Sequence, residues 1–293
     1  MVRAEDHPGN PSAAARDDLD GVEKEIQRHS REQQARSTEK CSFSAFRSAR
    51  FHARSLGSRA RQINQQIGCI TMSLPFIHDQ FQAGAVPAPM MDLLWASGWR
   101  HFGTFFRRYS IQWDEAMNEH TIQPLRLHLA DFRPSRSQRR VTSRNADLTW
   151  EIVPARAGED VQQLFHEHKT RFRQNIPDSI FDFISAERPD LLPCECLEFR
   201  ALLGGRLVAA SFLDVGVQGT SSVYGLFDLQ YSRRSLGLAT MLKEIEWSRA
   251  RGKRFYYPGY ATKEPSAYDY KKQFAGLEFL DWTAGEWRAL GSE

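Results

Sequence analysis

The sequence predicts an α+β fold: a mixed β-sheet flanked by helices, behind a disordered N-terminal extension. Three observations predict it. Residues 221–260 read strand, loop, helix, strand. Residues 198–215 read as two apolar runs joined by Gly204-Gly205, a hairpin signal. Residues 1–64 are rich in Arg, Glu, Gln, Ser and Ala and have few large apolar residues before Phe43; such a stretch lacks the surface to bury that folding requires.

Within the organising stretch, SVYGLF (222–227) is β-branched and aromatic at intervals, which favours a strand. Residues 228–235 are polar and turn-like. Leu236, Ala239, Met241, Leu242, Ile245 and Ala250 form an apolar stripe at helical spacing. Gly252 suits the helix C-terminus, and Arg249, Arg251 and Lys253 complement its negative end. Phe255, Tyr256 and Tyr257 begin a second strand. A unit of this length suits parallel strands with a right-handed crossover. Arg234, Gly237 and Ala239 fit R-x-x-G-x-A at the helix start, where unpaired N–H groups attract phosphate. This spacing resembles the acyl-CoA loop of the GNAT acyltransferase superfamily. An ordinary helix start, with Gly237 present for packing, fits the same residues.

The 293 residues carry a net charge of +3 and are 41% hydrophobic, enough for two cored domains, expected at 65–150 and 151–293. No run of about 20 apolar residues exists, so no membrane span is expected. Four scattered cysteines, Cys41, Cys69, Cys194 and Cys196, do not make a secreted disulfide scaffold, and the cytoplasm is the expected compartment. Residues 41–61 are arginine- and serine-rich without an acid, a composition shared with transit peptides and RNA-touching arms; translation starting at Met72 would remove them.

Residues 90–99 predict a helix ended by Gly98, residues 100–109 the start of a strand, and 122–129 another strand. Five arginines, Arg133, Arg136, Arg139, Arg140 and Arg144, crowd 131–145, where Ser135 is placed to cap a helix beginning at Arg136. The stretch is either a solvated basic face or an anion site, since arginine grips phosphate and carboxylate with two prongs; Arg136 and Arg139 are the candidates. A strand is expected at 148–153, a helix at 161–172, a helical region at 176–187, and a turn at 216–219. His101, His120 and His128 read as structural, and Cys194-Glu195-Cys196 as two ordinary thiols, because C-x-C has no second pair. No metal or cofactor is expected.

Together FRPSRSQRR (132–140) with Asn145 and Leu148, SSVY (221–224), FD (227–228), SLG (235–237), GY (259–260) and YK (270–271) resemble the aminoacyl-tRNA–protein transferases, which include the bacterial aspartate/glutamate leucyltransferases and the arginyl-tRNA–protein transferases. The resemblance spans 90–282. It implies a GNAT-like domain, charged tRNA as donor, and transfer of leucine or arginine to the N-terminus of an acceptor protein with an acidic or otherwise destabilising first residue, marking it for degradation. One departure stands out: the family's cysteine cluster would fall at 110–120, SIQWDEAMNEH, which has no cysteine. Cys69 alone cannot supply the roughly four ligands of a closed site.

The chemistry selects candidates. The ester of charged tRNA is already activated. The attacking α-amine, with a reference pKa of about 7.7–8.0, must be oriented and deprotonated, and an oxyanion stabilised. Asp228, ending the central strand, is the carboxylate placed for the amine, though Asp often caps a turn. Arg234, Ser235 and Gly237 are candidates for the tRNA end. Tyr260, Tyr268 and Tyr270 are candidates for stacking on the terminal adenine or for core packing, and Lys271 and Lys272 for phosphate or an acceptor carboxylate. A CoA-dependent N-acetyltransferase and a non-catalytic RNA- or peptide-binding relative remain the alternatives.

Overall fold

The computed structural model describes residues 75–114, 117–173, 176–266 and 269–291. The expected extension at 1–64, Cys41, Cys69, Met72 and Tyr268 lie outside the described residues. Residues from Pro75 onward form one compact unit. No helix among the described residues is long and apolar enough to cross a membrane.

A small sheet comes first in the chain. Strands β1 (His78–Gln82), β2 (Arg100–Phe102) and β3 (Phe105–Tyr109) pair antiparallel in the order β1-β3-β2. Helix α1 (Ala88–Ala96) lies between β1 and β2, starts behind Pro87 and buries Met90, Met91, Leu94 and Trp95. Its Asp92 carboxylate accepts the N–H groups of Val217, Gln218 and Gly219 at 2.8–2.9 Å, which clamps the expected turn at 216–219. A Cβ on Gly216 would stand 2.3 Å from Asp92 Oδ1, so glycine is required there.

The main sheet has nine strands. They are β4 (Ile111–Trp113), β5 (Glu119–His128), β6 (Thr149–Pro154), β7 (Cys196–Leu203), β8 (Arg206–Val215), β9 (Gly219–Phe227), β10 (Phe255–Thr262), β11 (Leu277–Asp281) and β12 (Glu286–Ala289). The order is β12-β11-β5-β10-β9-β8-β7-β6, with β4 paired to β5. Strands β6 to β9 run antiparallel, and β9 and β10 are parallel, joined through helix α4 (Leu236–Ala250), as the strand–loop–helix–strand reading requires. Because β5 sits between β10 and β11, residues expected to form two parts share one sheet.

Helices α2 (Arg136–Arg144) and α4 pack together and α4 covers one face of the sheet; α3 (Glu159–His168) covers the other. The α4 side gathers Leu125, Leu127, Phe199, Leu213, Met241, Ile245 and Tyr256; the α3 side gathers Val161, Leu164, Phe165, Phe212 and Leu226. Ser135 caps α2 as expected. Its hydroxyl accepts the Gln138 N–H at 3.2 Å, and the Gln138 side chain returns the bond to the Ser135 N–H at 2.8 Å. The helical region expected at 176–187 reduces to one 3₁₀ turn, Ile180–Asp182, capped by Ser179. Pro177 removes a donor from this short segment, and Ile180 and Ile184 are buried by tertiary packing without helical continuity.

Strands β9 and β10 are neighbours over only three residue pairs, ending at Ser221↔Tyr257. Both bulge at that level. On β9 the pairing with β8 jumps from Leu213↔Ser222 to Phe212↔Tyr224, skipping Val223. On β10 the pairing with β5 jumps from Tyr256↔Leu127 to Gly259↔Leu125, so Tyr257 and Pro258 oppose Arg126 alone. Bulges bend the strands that carry them, and beyond them the two strands part. Gly259 permits the bend on β10, with φ at +101°.

A prediction follows for that glycine. A Cβ on Gly259 would meet Lys271 Nζ at 3.2 Å and Arg100 Nη2 at 3.5 Å, in a conformation L-residues avoid. Gly259→Ala should lose roughly 1–3 kcal/mol in urea unfolding. Gly237→Ala, whose Cβ meets only the Phe227 ring at 3.5 Å, should change stability by about 1 kcal/mol or less. Equal losses at both positions would contradict the account of the bend.

Candidate active site between the parted strands

In an antiparallel ladder, alternate residues turn their N–H and C=O groups away from the partner. The Asp228 N–H donates to Val208 O at 2.9 Å, so Phe227 and Gly225 face away from β8, toward the gap. Phe227 is occupied: His168 Nδ1 lies 3.0 Å from its carbonyl oxygen and 3.1 Å from its nitrogen. Burial pulls His168 down to about 4 and keeps the ring neutral. The Gly225 backbone lies against α4, where a Cβ would be 3.7 Å from Thr240 Oγ1.

Two cations enter where the strands part. The Arg100 guanidinium, from β2, bonds Ser221 Oγ and Ser222 O on β9. Lys271 Nζ donates to Tyr260 O on β10 at 3.4 Å. Burial lowers the pKa of both; Lys271 falls to about 7, pushed further by the Arg100 charge. Below them lies Glu244 of α4, with no exposed surface. Its Oε2 accepts the Tyr256 hydroxyl at 2.6 Å, and burial pushes Glu244 up to about 7. The Ser211, Tyr256 and Ser222 hydroxyls oppose that rise by hydrogen bonding to the carboxylate. Thr240, Glu244 and Ser248 repeat every four residues on one buried face of α4, and Ser248 Oγ lies 2.8 Å from Thr220 Oγ1.

A second focus surrounds the start of α4. Ser235 holds a left-handed conformation (φ 57°, ψ 46°), and its carbonyl accepts the Leu238 and Ala239 N–H groups. Arg234 is tied to the turn after α2. It pairs with Asp147, donates to Asn145 Oδ1 at 3.0 Å, and donates to Arg144 O at 2.9 Å. The arginine expected to meet phosphate thus braces the loop. Between α2 and α4 runs a groove of about 590 Å³, lined in part by Arg139, Asn145, Trp150, Ala239 and Lys243. Arg136, Arg139 and Arg140 are exposed on α2, and Arg139 also donates to Pro134 O at 2.5 Å.

The predicted residues therefore fall in separate places. Arg139 lines the groove from α2, Arg234, Ser235 and Gly237 sit at the start of α4, and Arg136 stands exposed on α2. Tyr260 and Lys271 belong to the gap. Tyr260 is interior: its hydroxyl donates to Gly98 O, its ring meets Tyr109 edge-on, and burial raises its pKa. That arrangement is core packing, the other reading open to this tyrosine. Tyr270 is 38% exposed. Asp228 is buried, with Oδ1 accepting the Gln230 N–H at 2.9 Å and Oδ2 paired with Arg206 at 2.7 Å. In this conformation it caps the turn after β9. Arg100 and Glu244 escape a reading based on apolar periodicity. The signal for Glu244 was its four-residue spacing from Thr240 and Ser248; nothing local marks Arg100.

The buried Glu244 yields a pH prediction. An unfolded glutamate titrates near about 4.3 and this folded one near about 7. Its contribution to stability is fully present below the unfolded value and is lost as pH rises through 7. Glu244→Gln keeps the neutral shape at every pH. The variant should gain about 2 kcal/mol relative to the native chain between pH 5 and pH 8, read from denaturant midpoints. A pH-independent difference would show that the carboxyl is ionised and paired.

The family model "Arginine-tRNA-protein transferase, C terminus" matches residues 156–281. An aspartate/glutamate leucyltransferase of Stenotrophomonas maltophilia is 34% identical over 168 residues, 54% of this chain and 65% of that protein. One from Marinobacter nauticus is 32% identical over 203 residues, 68% of this chain and 82% of that protein. The chain thus spans somewhat under two thirds of the first relative and most of the second. Among solved structures, L-PGS from Bacillus licheniformis aligns with a TM-score of 0.41 at 12% identity, over 63% of this chain and 53% of that one, a likeness too slight to argue from. On the sequence relatives, the chain belongs to the aminoacyl-tRNA–protein transferase family, here built on a mixed sheet flanked by helices.

Proposed function

We propose that this protein transfers an amino acid, leucine or arginine, from charged tRNA to the N-terminal residue of an acceptor protein. The observation that carries the reading is the gap beyond Ser221 and Tyr257, with the groove between α2 and α4, lined in part by Arg139 and Lys243, alongside. The relatives' name, aspartate/glutamate leucyltransferase, favours leucine as the group moved and an acidic first residue as the acceptor. Marking the acceptor for degradation, and action in the cytoplasm where charged tRNA is made, complete the proposal.

In this reading the tRNA end follows the groove between α2 and α4. Exposed Arg136 and Arg139 meet its phosphates, and the free N–H groups at the start of α4, at Leu236 and Gly237, meet the terminal one. Tyr270 stacks on the terminal base, a contact worth about 1–3 kcal/mol. The ester carbonyl enters the gap, where the Gly225 N–H donates to the oxyanion as it forms. The amine attacks the ester carbon, its C–N bond forms, and the ribose oxygen leaves with the ester electron pair. Asp228 accepts the amine proton once the exposed Arg206 swings off Oδ2, and passes it to the departing ribose oxygen, which leaves as the hydroxyl. Lys271, near its titration point, favours an acceptor carboxylate at the inner end.

The test incubates the protein with a pool of differently labelled aminoacyl-tRNAs and peptides differing only in their first residue. Leucine or arginine should appear on peptides starting with Asp or Glu, and acetyl-CoA should donate nothing. Acetylation of a peptide with no aminoacyl transfer would replace this reading with a CoA-dependent acetyltransferase. Binding of charged tRNA and peptide without turnover would replace it with a binding relative.

A further inference from the structure

Behind the Arg100 clamp lies a buried cluster that the transfer chemistry does not use. His101, the residue after Arg100 on β2, points Nε2 at Asp214 Oδ2 of β8 at 2.5 Å. Its Nδ1 lies 2.9 Å from Gly103 O. A carbonyl only accepts, so Nδ1 carries a proton, and Nε2 then faces a carboxylate oxygen. Cys194 joins them: one ligand atom from each of His101, Cys194 and Asp214 lies within 4.8 Å of the others. Cys196 stands in register with Asp214 across β7 and β8, and the Asp214 charge adds to burial in raising both thiols. All four residues are buried, Asp214 at 1% exposure. Among the described residues Asp214 Oδ1 has no hydrogen-bond partner, while the carboxylate as a whole raises both thiols through side-chain hydrogen bonds as well as charge. A buried carboxylate held by an imidazole and two thiols gathers metal-ligating atoms of three kinds in one place.

We propose that His101, Cys194, Cys196 and Asp214 form a structural zinc site that fastens the small sheet to the main one. The donor set suits zinc: thiolate, imidazole and carboxylate are its ligands, in closed four-coordinate sites. The Nδ1–H bond to Gly103 O is the outer contact that fixes a ligating imidazole and leaves Nε2 for the metal. Bonds of about 2.0–2.2 Å at tetrahedral angles set ligand oxygens and nitrogens about 3.3 Å apart, so metal entry opens the His101–Asp214 contact by somewhat under 1 Å. Two thiol protons leave as the ion binds. Asp214 is in register with Ser221, the residue Arg100 holds. The site thus fixes the strand from which Arg100 reaches into the gap. His101 and Asp214 are distant in sequence from Cys194 and Cys196, so only the fold brings the four together.

The test needs no assay of transfer. The full chain with Cys41→Ser and Cys69→Ser, so that only Cys194 and Cys196 remain, should retain one Zn²⁺ per chain after dialysis. Co²⁺ in its place should give thiolate-to-cobalt absorption, and Zn²⁺ should raise the unfolding temperature. Adding Cys194→Ser and Cys196→Ser should abolish all three; if that chain does not fold, Asp214→Asn, which keeps the side-chain shape, should weaken zinc retention and shift the cobalt spectrum. A folded chain that takes up no Zn²⁺ and shows no cobalt absorption would overturn the site and assign the His101–Asp214 contact to a shared proton. Zinc retained undiminished without both thiols would overturn it equally.

Discussion

The arrangement around the gap depends on one buried guanidinium. Where β9 and β10 part, each strand loses its partner, and an unpaired buried backbone group costs as much as a lost hydrogen bond. Arg100 meets this cost on β9 by donating to Ser222 O and Ser221 Oγ, and Lys271 meets it on β10 by donating to Tyr260 O. Two cations in so dry a place are themselves expensive, and both have pKa values lowered by burial. The cost is offset by what surrounds them: the Asp214 charge, which acts on Arg100, and the carbonyl oxygens. A continuous sheet would need none of this. The bulges at Val223 and Tyr257–Pro258 and the left-handed Gly259 are therefore best understood as features that hold a sheet open.

Helix α4 links the open sheet to the surface. Its apolar face, with Leu236, Met241 and Ile245, buries against the sheet. A second buried face is polar: Thr240 near Gly225, Glu244 bonded to Tyr256, Ser248 bonded to Thr220. Its N-terminus is braced through Arg234, which binds the end of α2 by Asn145, Arg144 and Asp147. One rigid element thus joins the braced helix start, the groove along α2 and the mouth of the gap. Preorganised groups of this kind need little rearrangement when charge develops at a reacting carbonyl.

Much of the main sheet was legible. Strand β9, the hairpin β7–β8, α4 and the Ser135 cap each follow from period, turn residues or capping chemistry. The α4 stripe was read correctly at Leu236, Ala239, Met241 and Ile245, yet Ala250 is exposed and Thr240, Glu244 and Ser248 take the buried places between. An apolar count cannot see a polar residue that finds its partner on another strand. Arg100 was hidden for the same reason: its partners lie more than a hundred residues away. Arg234 and Tyr260, which match motifs, also make structural contacts that the motifs do not reveal: Arg234 ties to Asn145, Arg144 and Asp147, and the Tyr260 hydroxyl donates to Gly98 O. The segment at 176–187 had apolar residues enough for a helix; Pro177 and tertiary packing of Ile180 and Ile184 decided otherwise.

The central claim is that donor and acceptor meet between the parted strands. Amide hydrogen exchange, with and without a non-hydrolysable aminoacyl-adenosine carrying its terminal phosphates, tests it most directly. The account predicts new protection at Gly225 and at the start of α4, Leu236 and Gly237. Protection confined to the exposed arginines of α2, with Gly225 exchanging as before, would contradict it.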